Sequence, residues 1–195
     1  MKKTLLILLT ATCTIGLILF STYWRATQPL LHSQIVVVDS SLKLPGINRQ
    51  ILNFIEARGA SISPTYDKAV CTEFVIQVID NFKTLSKEER KLIRVITDDD
   101  LTKLVLTEDP VIKGVQTALL QNNKGEHIQR YSDVRPGDFV QFWNLYNNKA
   151  YGHCGIVLTV EPSEKISLYS SHPLTSGFGK QTFMWPDKIF FVRLK

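Results

Sequence analysis

A histidine and a cysteine stand side by side in the stretch AYGHCGIVLTV, residues 150–160. A thiolate can attack a carbonyl carbon while a nearby imidazole carries the proton. His153 and Cys154 begin an apolar, β-branched run that predicts a strand, and consecutive side chains of a strand point to opposite faces. The adjacent pair is therefore not expected to act as a dyad. We expect His153 to face the chemistry and Cys154 to be a buried packing residue.

Cys71 is the better candidate for a nucleophile. It lies in the first turn of a predicted helix whose apolar residues recur at spacings of three and four. A helix N-terminus favours negative charge and so lowers the pKa of a thiol. The base must come from another element. Of the four histidines, His32 lies in a spacer and His127 in a polar turn, which leaves His153 and His172.

The first 25 residues predict a transmembrane anchor. About twenty uncharged residues lie between Lys3 and Arg25, enough for a helix to cross a bilayer. Tyr23 and Trp24 lie where interfacial aromatic residues are common, and no small-x-small cleavage pattern follows, so we expect the anchor to be retained. Cys13 lies inside the apolar run and is read as a lipid-facing residue rather than a site of acylation. The N-terminal lysines predict that the remainder lies outside the cytoplasm.

Metal and nucleic-acid chemistry are not favoured. Cys71, His153 and Cys154 lack the paired C-x-x-C or H-x-x-x-H spacing of zinc sites. The net charge of +5 includes three cations around the anchor, so residues 26–195 carry 20 basic and 18 acidic side chains. No basic run is interleaved with aromatic residues, so no nucleic-acid partner is expected. Two cysteines beyond the anchor leave room for one disulfide bridge at most.

Helices are predicted for the first part of the remaining chain. An amphipathic helix begins at Ile47 and is expected to end at Gly59, ahead of the helix that carries Cys71. Ser86 and Glu89 form a capping box for a third helix. A short helix is predicted at 101–106, and Asp109-Pro110 predicts the cap and first residue of another.

Strands are predicted for the last part. Four runs rich in β-branched and aromatic residues follow Val134, separated by turns: DFVQFW, CGIVLTV, KISLYSS and KIFFVRL. Helices followed by an antiparallel sheet predict an α+β domain over residues 45–195, after a spacer at 26–44.

The ordered set of motifs resembles the NlpC-type peptidoglycan hydrolases, papain-like cysteine peptidases and amidases related to the CHAP amidases. The set consists of a cysteine that opens a helix in VCTEFV, the turn and strand VRPGDFVQFW, the strand GHCGIVL and the final YSSH. The resemblance covers the chain from about Val70 to the C-terminus. It implies a papain-like fold with N-terminal helices packed on a C-terminal antiparallel sheet.

The resemblance also implies roles for residues. Cys71 would be the nucleophile, His153 the general base and then the general acid, and the backbone N–H of Cys71 part of an oxyanion hole. Two departures stand out. The family usually has Asp-Cys-Ser-Gly where this chain has Val-Cys-Thr-Glu, and the helices at about 86–122 form an insertion that would act as a lid or a substrate wall.

A third residue that orients the imidazole is expected from the following strand. His172 is the first candidate and Ser170 the second, since both share one strand face. His172 can also be read as a surface histidine. Tyr66 is either an oxyanion donor or a plain turn residue. Asp138 is expected to stabilise its turn rather than to catalyse.

The sequence therefore predicts a membrane-anchored cysteine hydrolase that cleaves an amide bond in bacterial cell-wall peptides, without a cofactor. Two alternatives stay open: a non-catalytic module that binds wall peptides or a partner protein, and a lipid-directed acyl hydrolase or transferase. The predicted location is the bacterial membrane, with the catalytic domain on its outer side.

Overall fold

The computed structural model describes residues 44–195. The predicted anchor with Cys13, and the spacer with His32, lie outside the described residues. Within residues 44–195 no helix has both the length and the apolar character needed to cross a bilayer.

Within residues 44–195, five α-helices precede the sheet or lead into it. Their bounds are α1 Gly46–Ile62, α2 Cys71–Asp80, α3 Lys87–Ile93, α4 Leu101–Leu106 and α5 Val115–Gln121. Single 3₁₀ turns lie at Pro110–Lys113, Tyr131–Asp133 and Pro173–Thr175. The predicted capping box of α3 is confirmed, because Ser86 accepts from the N–H of Glu89 and the Glu89 carboxylate accepts from the N–H of Ser86.

Two predicted helix boundaries were wrong. Helix α1 continues through Gly59 to Ile62, and a Cβ at Gly59 would lie 2.5 Å from the ring of Phe178. That glycine is used for close packing rather than as a helix stop. Asp109 caps Pro110–Lys113 as predicted, but this turn is 3₁₀ and stops at Gly114, whose φ of +41° separates it from α5.

In the described part of the chain, six strands form one antiparallel sheet in the order β1-β6-β2-β3-β4-β5. Their bounds are β1 Gly125–His127, β2 Phe139–Tyr146, β3 Lys149–Glu161, β4 Lys165–His172, β5 Gly177–Met184 and β6 Lys188–Leu194. The four predicted strand runs are confirmed as parts of β2, β3, β4 and β6. The sequence pattern did not indicate β1 or β5. The domain is thus α+β, with helices packed on an antiparallel sheet.

Both faces of the sheet are buried. On one face, here called the helix face, the sheet packs against the helices through a core that includes Ile55, Phe74, Val78, Phe139, Cys154 and Ile156. On the opposite face, the far face, a second core includes Val140, Phe142, Val157, Leu168 and Phe191. Residues of β3 on the helix face, such as Cys154 and Ile156, therefore pack against the helices, whereas Val157 lies on the far face.

The segment at 86–122 belongs to the main core. Its residues Ile93, Val115, Ala118 and Leu119 are fully buried in the same cluster as α1 and α2. A segment that supplies core side chains cannot open as a free lid without exposing them.

Candidate active site

Cys71 is the first residue of α2, and Val70 before it is extended, with φ −64° and ψ 171°. The N–H of Phe74 bonds to the carbonyl of Val70, as expected at a helix start. Among residues 44–195 no side chain caps α2. The N–H groups of its first turn therefore point out of the helix without a capping acceptor, next to a partly buried thiol.

His153 lies in β3 with its ring on the far face. Its centroid is 5.1 Å from that of Phe183, 5.7 Å from Phe142 and 5.4 Å from His172. The side-chain amide of Gln141 donates to the carbonyl of His153 at 3.1 Å and fixes the backbone there. Nε2 of His153 is buried and has no hydrogen-bond partner in the described part of the chain.

Cys154 has no solvent exposure, and its side chain lies on the helix face beside Cys71. The Cys154 side chain has the largest influence on the pKa of Cys71 and lowers it. Burial raises this pKa, and the interaction with His153, including its positive charge, lowers it further. The net result is a pKa of Cys71 well below its ordinary value. The Cys71 side chain and burial raise the pKa of Cys154, so Cys71 is the more readily ionised of the two thiols.

The prediction that Cys154 is a buried packing residue is confirmed, because it is fully buried in the main core. The expectation that it points away from α2 was wrong. Side chains alternate along β3 as expected, but α2 packs on the face that carries Cys154. Strands β3 and β4 pair only as far as Ile156 and Tyr169, and the hydroxyl of Ser170 donates to the carbonyl of Cys154 at 2.7 Å. Residues on both faces of the sheet, Cys154 and His153, lower the pKa of Cys71.

His172 ends β4 and lies beside His153, with the two ring planes at 86°. Its Nδ1 accepts from the N–H of Leu174 at 3.1 Å, which leaves the ring hydrogen on Nε2. Burial lowers the pKa of His172 to about 4, helped by the positive charge of His153 and opposed by the negative charge of Cys71. A neutral His172 thus contacts the ring of His153, whereas the Ser170 hydroxyl is bonded to backbone.

Tyr66 lies in the loop before α2 and is partly buried. Burial raises its pKa, and the negative charge of Cys71 raises it further. The phenol is therefore protonated and can donate a hydrogen bond to an anion.

Asp138 is completely buried in the turn before β2. Its carboxylate accepts from the N–H of Arg135 at 2.6 Å, from the Asn48 amide at 2.8 Å and twice from Arg193 at 2.8 Å. These bonds tie the turn to α1 and β6, so the predicted turn-stabilising role is confirmed. His127 is exposed in β1 rather than in a turn.

Two contacts around the thiol were not found by sequence reasoning. Gln141 lies opposite Cys154 in the ladder and is 3% exposed. The sequence feature that could have indicated Gln141 is the presence of a polar residue within the apolar run DFVQFW. Glu73, in the first turn of α2, holds a paired hydrogen bond with Arg94 at the end of α3. Within the described chain no three His, Cys, Asp or Glu side chains are placed to hold a metal ion.

Comparisons with known proteins give no neighbour for this arrangement. The chain matches no protein-family model, no curated protein and no solved structure.

Proposed function

We propose that this chain is a cysteine hydrolase of papain-like fold, with Cys71 as nucleophile and His153 as its acid and base. The observation that carries the proposal is the position of Cys71 at the start of α2, which has no side-chain cap in the described chain, where Cys154 and His153 lower the pKa of its thiol. A packing cysteine needs no such environment, and perturbed thiols of this kind are concentrated at catalytic sites.

The reaction follows from the atoms present. The Cys71 thiolate attacks the carbonyl carbon of an amide, and negative charge develops on the carbonyl oxygen. The N–H groups at the start of α2 and the phenol of Tyr66 are the donors available to that oxygen. His153 protonates the departing amine and then takes a proton from the water that hydrolyses the thioester. Neutral His172 orients the His153 ring.

The proposed substrate is a peptide of the bacterial cell wall, and this part of the proposal is supported by the motif resemblance. The proposed location is the outer side of the membrane, through an anchor at residues 1–25. An inert binding module would have no use for an ionised thiol, so the enzyme is favoured over the non-catalytic alternative.

The test uses the full chain in detergent with purified peptidoglycan as substrate. Cys71→Ala and His153→Ala should each reduce the release of soluble wall peptides by at least about 10³-fold. Cys13→Ala and His127→Ala are the matched controls and should retain activity. Undiminished release by Cys71→Ala would overturn the proposal. Release of fatty acid from phospholipid vesicles, with intact wall peptides, would support the lipid-directed alternative instead.

A further inference from the structure

Strand β3 is paired on both sides along only part of its length. On one side it pairs with β2 over residues 149–156. On the other side its pairing with β4 covers Ile156 to Glu161, so residues 149–155 have no partner strand there within the described chain. An unpaired strand edge presents backbone donors and acceptors to its surroundings. The first half of β3 is therefore an open edge inside the sheet.

The N–H and C=O groups of alternate β3 residues face this open side. Val157 bonds in the other direction, since its N–H donates to Asp138 at 2.8 Å and its C=O accepts from Gly137 at 2.9 Å, both in the turn before β2. The backbone groups change side at each residue of an antiparallel strand. Those of Gly155 thus face β2, whereas those of Gly152 face the open side.

Side-chain hydroxyls close both ends of the open edge. The N–H of Ala150 donates to Oγ1 of Thr102 in α4 at 3.2 Å. The carbonyl of Cys154 accepts from Oγ of Ser170 at 2.7 Å. Between these two bonds Gly152 is exposed, and no strand lies on its open side in the described residues. Gly152 is therefore the position at which another extended chain can pair with β3.

The backbone at Gly152 is held from the helix face by Trp143. The two residues lie opposite each other in the ladder, and a Cβ at Gly152 would lie 2.6 Å from the Trp143 ring. The ring is itself fixed, because its indole N–H donates to the carbonyl of Ile112 at 2.8 Å. An edge that is already rigid costs little to order when a peptide pairs with it.

The open edge leads into the proposed active site. The register of Ile156 with Tyr169, continued along both strands, places His153 opposite the end of β4. His172 is the last residue of β4, and its ring centroid lies 5.4 Å from that of His153. Gly152 comes next along β3, just past the end of β4 and beside the proposed acid and base.

We infer that the peptide substrate binds to β3 as an added strand, through hydrogen bonds between its backbone and the N–H and C=O of Gly152. The inference rests on the proposed function for the kind of peptide, a cell-wall peptide. Pairing of this type requires an extended chain with its own N–H and C=O groups, which a peptide has and an acyl chain lacks. The scissile amide would then lie alongside His153.

Amide NMR on the full chain in detergent tests the pairing without replacing Gly152, whose substitution would displace Trp143. The Cys71→Ala variant prevents turnover, and the probe is a synthetic stem tetrapeptide of peptidoglycan. Tyr151-Gly152 is the one Tyr-Gly pair in the sequence, and Cys154-Gly155 was found to be the one Cys-Gly pair in the parent sequence. Labelling glycine with ¹⁵N, together with ¹³C-carbonyl tyrosine or cysteine, therefore isolates either amide signal.

The Gly152 amide should shift when the tetrapeptide is added, and its hydrogen exchange should slow by at least about tenfold, because it gains a hydrogen bond. Gly155 is the matched control in the same strand. Its amide already faces β2, so its exchange rate should stay the same. An unmoved Gly152 signal at the highest peptide concentration would overturn the inference.

N-methylated peptides test the hydrogen bonds themselves. Versions of the tetrapeptide with one methylated amide each should lose affinity only at alternate positions, since every second residue of a strand faces its neighbour. Equal losses at all positions would contradict pairing with β3.

The two proposals fail separately. Cleavage of wall peptides by the unmodified chain, without a change at Gly152 in the Cys71→Ala complex, would overturn the added strand and leave the hydrolase standing. A protected Gly152 amide in a chain that cleaves no wall peptide would contradict the hydrolase and leave the peptide-binding edge.

Discussion

The backbone N–H of Leu174 donates to Nδ1 of His172 across 3.1 Å, and this bond sets the tautomer of the ring beside His153. The hydrogen of His172 lies on Nε2, and burial keeps the ring neutral above pH of about 4. A neutral histidine with a defined tautomer can orient another imidazole without competing for the charge on the thiolate.

Replacing His172 tests that role. His172→Ala should lower kcat on wall peptides by about 10- to 100-fold, because a general base that is poorly oriented loses part of its effect. KM should change little, and His172→Gln, which keeps a donor, should recover part of the rate. Ser170→Ala is the comparison within the same strand. An unchanged kcat for His172→Ala would show that His172 does not orient the His153 ring.

Acid should destabilise the fold through His172. The unfolded chain takes up a proton at this histidine below pH of about 6.5, whereas the folded protein does so only near pH 4. The stability from the neutral ring is therefore complete above pH 6.5 or so and is lost as the pH falls towards about 4. Urea unfolding at several pH values should show a steeper loss for the unmodified chain than for His172→Gln. If the free energy of unfolding falls equally with pH in the unmodified chain and in His172→Gln, the burial of a neutral His172 ring would be contradicted.

The reactivity of Cys71 should reveal its neighbours. Because Cys154 and His153 both lower the pKa of Cys71, alkylation by iodoacetamide should stay fast at pH values where an ordinary cysteine is protonated. Cys154→Ala removes the strongest contribution and should move the pH profile upward. Cys154→Ser keeps a donor and should move it less, which separates the hydrogen bond from the effect of volume. If Cys71 alkylation depends on pH in the same way in the unmodified chain, Cys154→Ala and Cys154→Ser, the influence of Cys154 on the Cys71 pKa would be disproved.

Gly155 should tolerate no side chain. A Cβ there would lie 2.3 Å from Cδ1 of Leu168 and 2.6 Å from the carbonyl oxygen of Tyr169, so β4 would have to shift at the point where the site begins. Gly155→Ala should lower the free energy of unfolding by about 2–3 kcal/mol. Gly46→Ala is the matched control, since its Cβ meets nothing within 4 Å, and urea unfolding should show no loss. Equal stability of both variants would contradict this close packing.

The helices and the interior strands could be predicted because their signals are local. Ser86 with Glu89 identifies a helix start whatever the rest of the chain does, and the β-branched run after Cys154 identifies a strand. Strand β5 has no such signal. Its sequence GFGKQTFM contains two glycines and a lysine, which do not favour a strand. Pairing with β4 stabilises the strand instead.

The position of the thiols could not be predicted from alternation alone. A period of two shows that His153 and Cys154 point to opposite faces, but both faces of this sheet are buried, so the pattern does not tell which face the helices cover. The end of the ladder at Ile156 and Tyr169 depends on contacts between distant parts of the chain.

The order of elements along the chain has a consequence for synthesis. Cys71 is made early, while His153 and Cys154 follow 82 and 83 residues later, in a strand that pairs with β2 and β4. A growing polypeptide that has reached only α5 carries a thiol without the groups that ionise it. In such a nascent chain Cys71 would have the pKa of an ordinary thiol, and the lowered pKa would arise only after translation has passed the middle of the sheet.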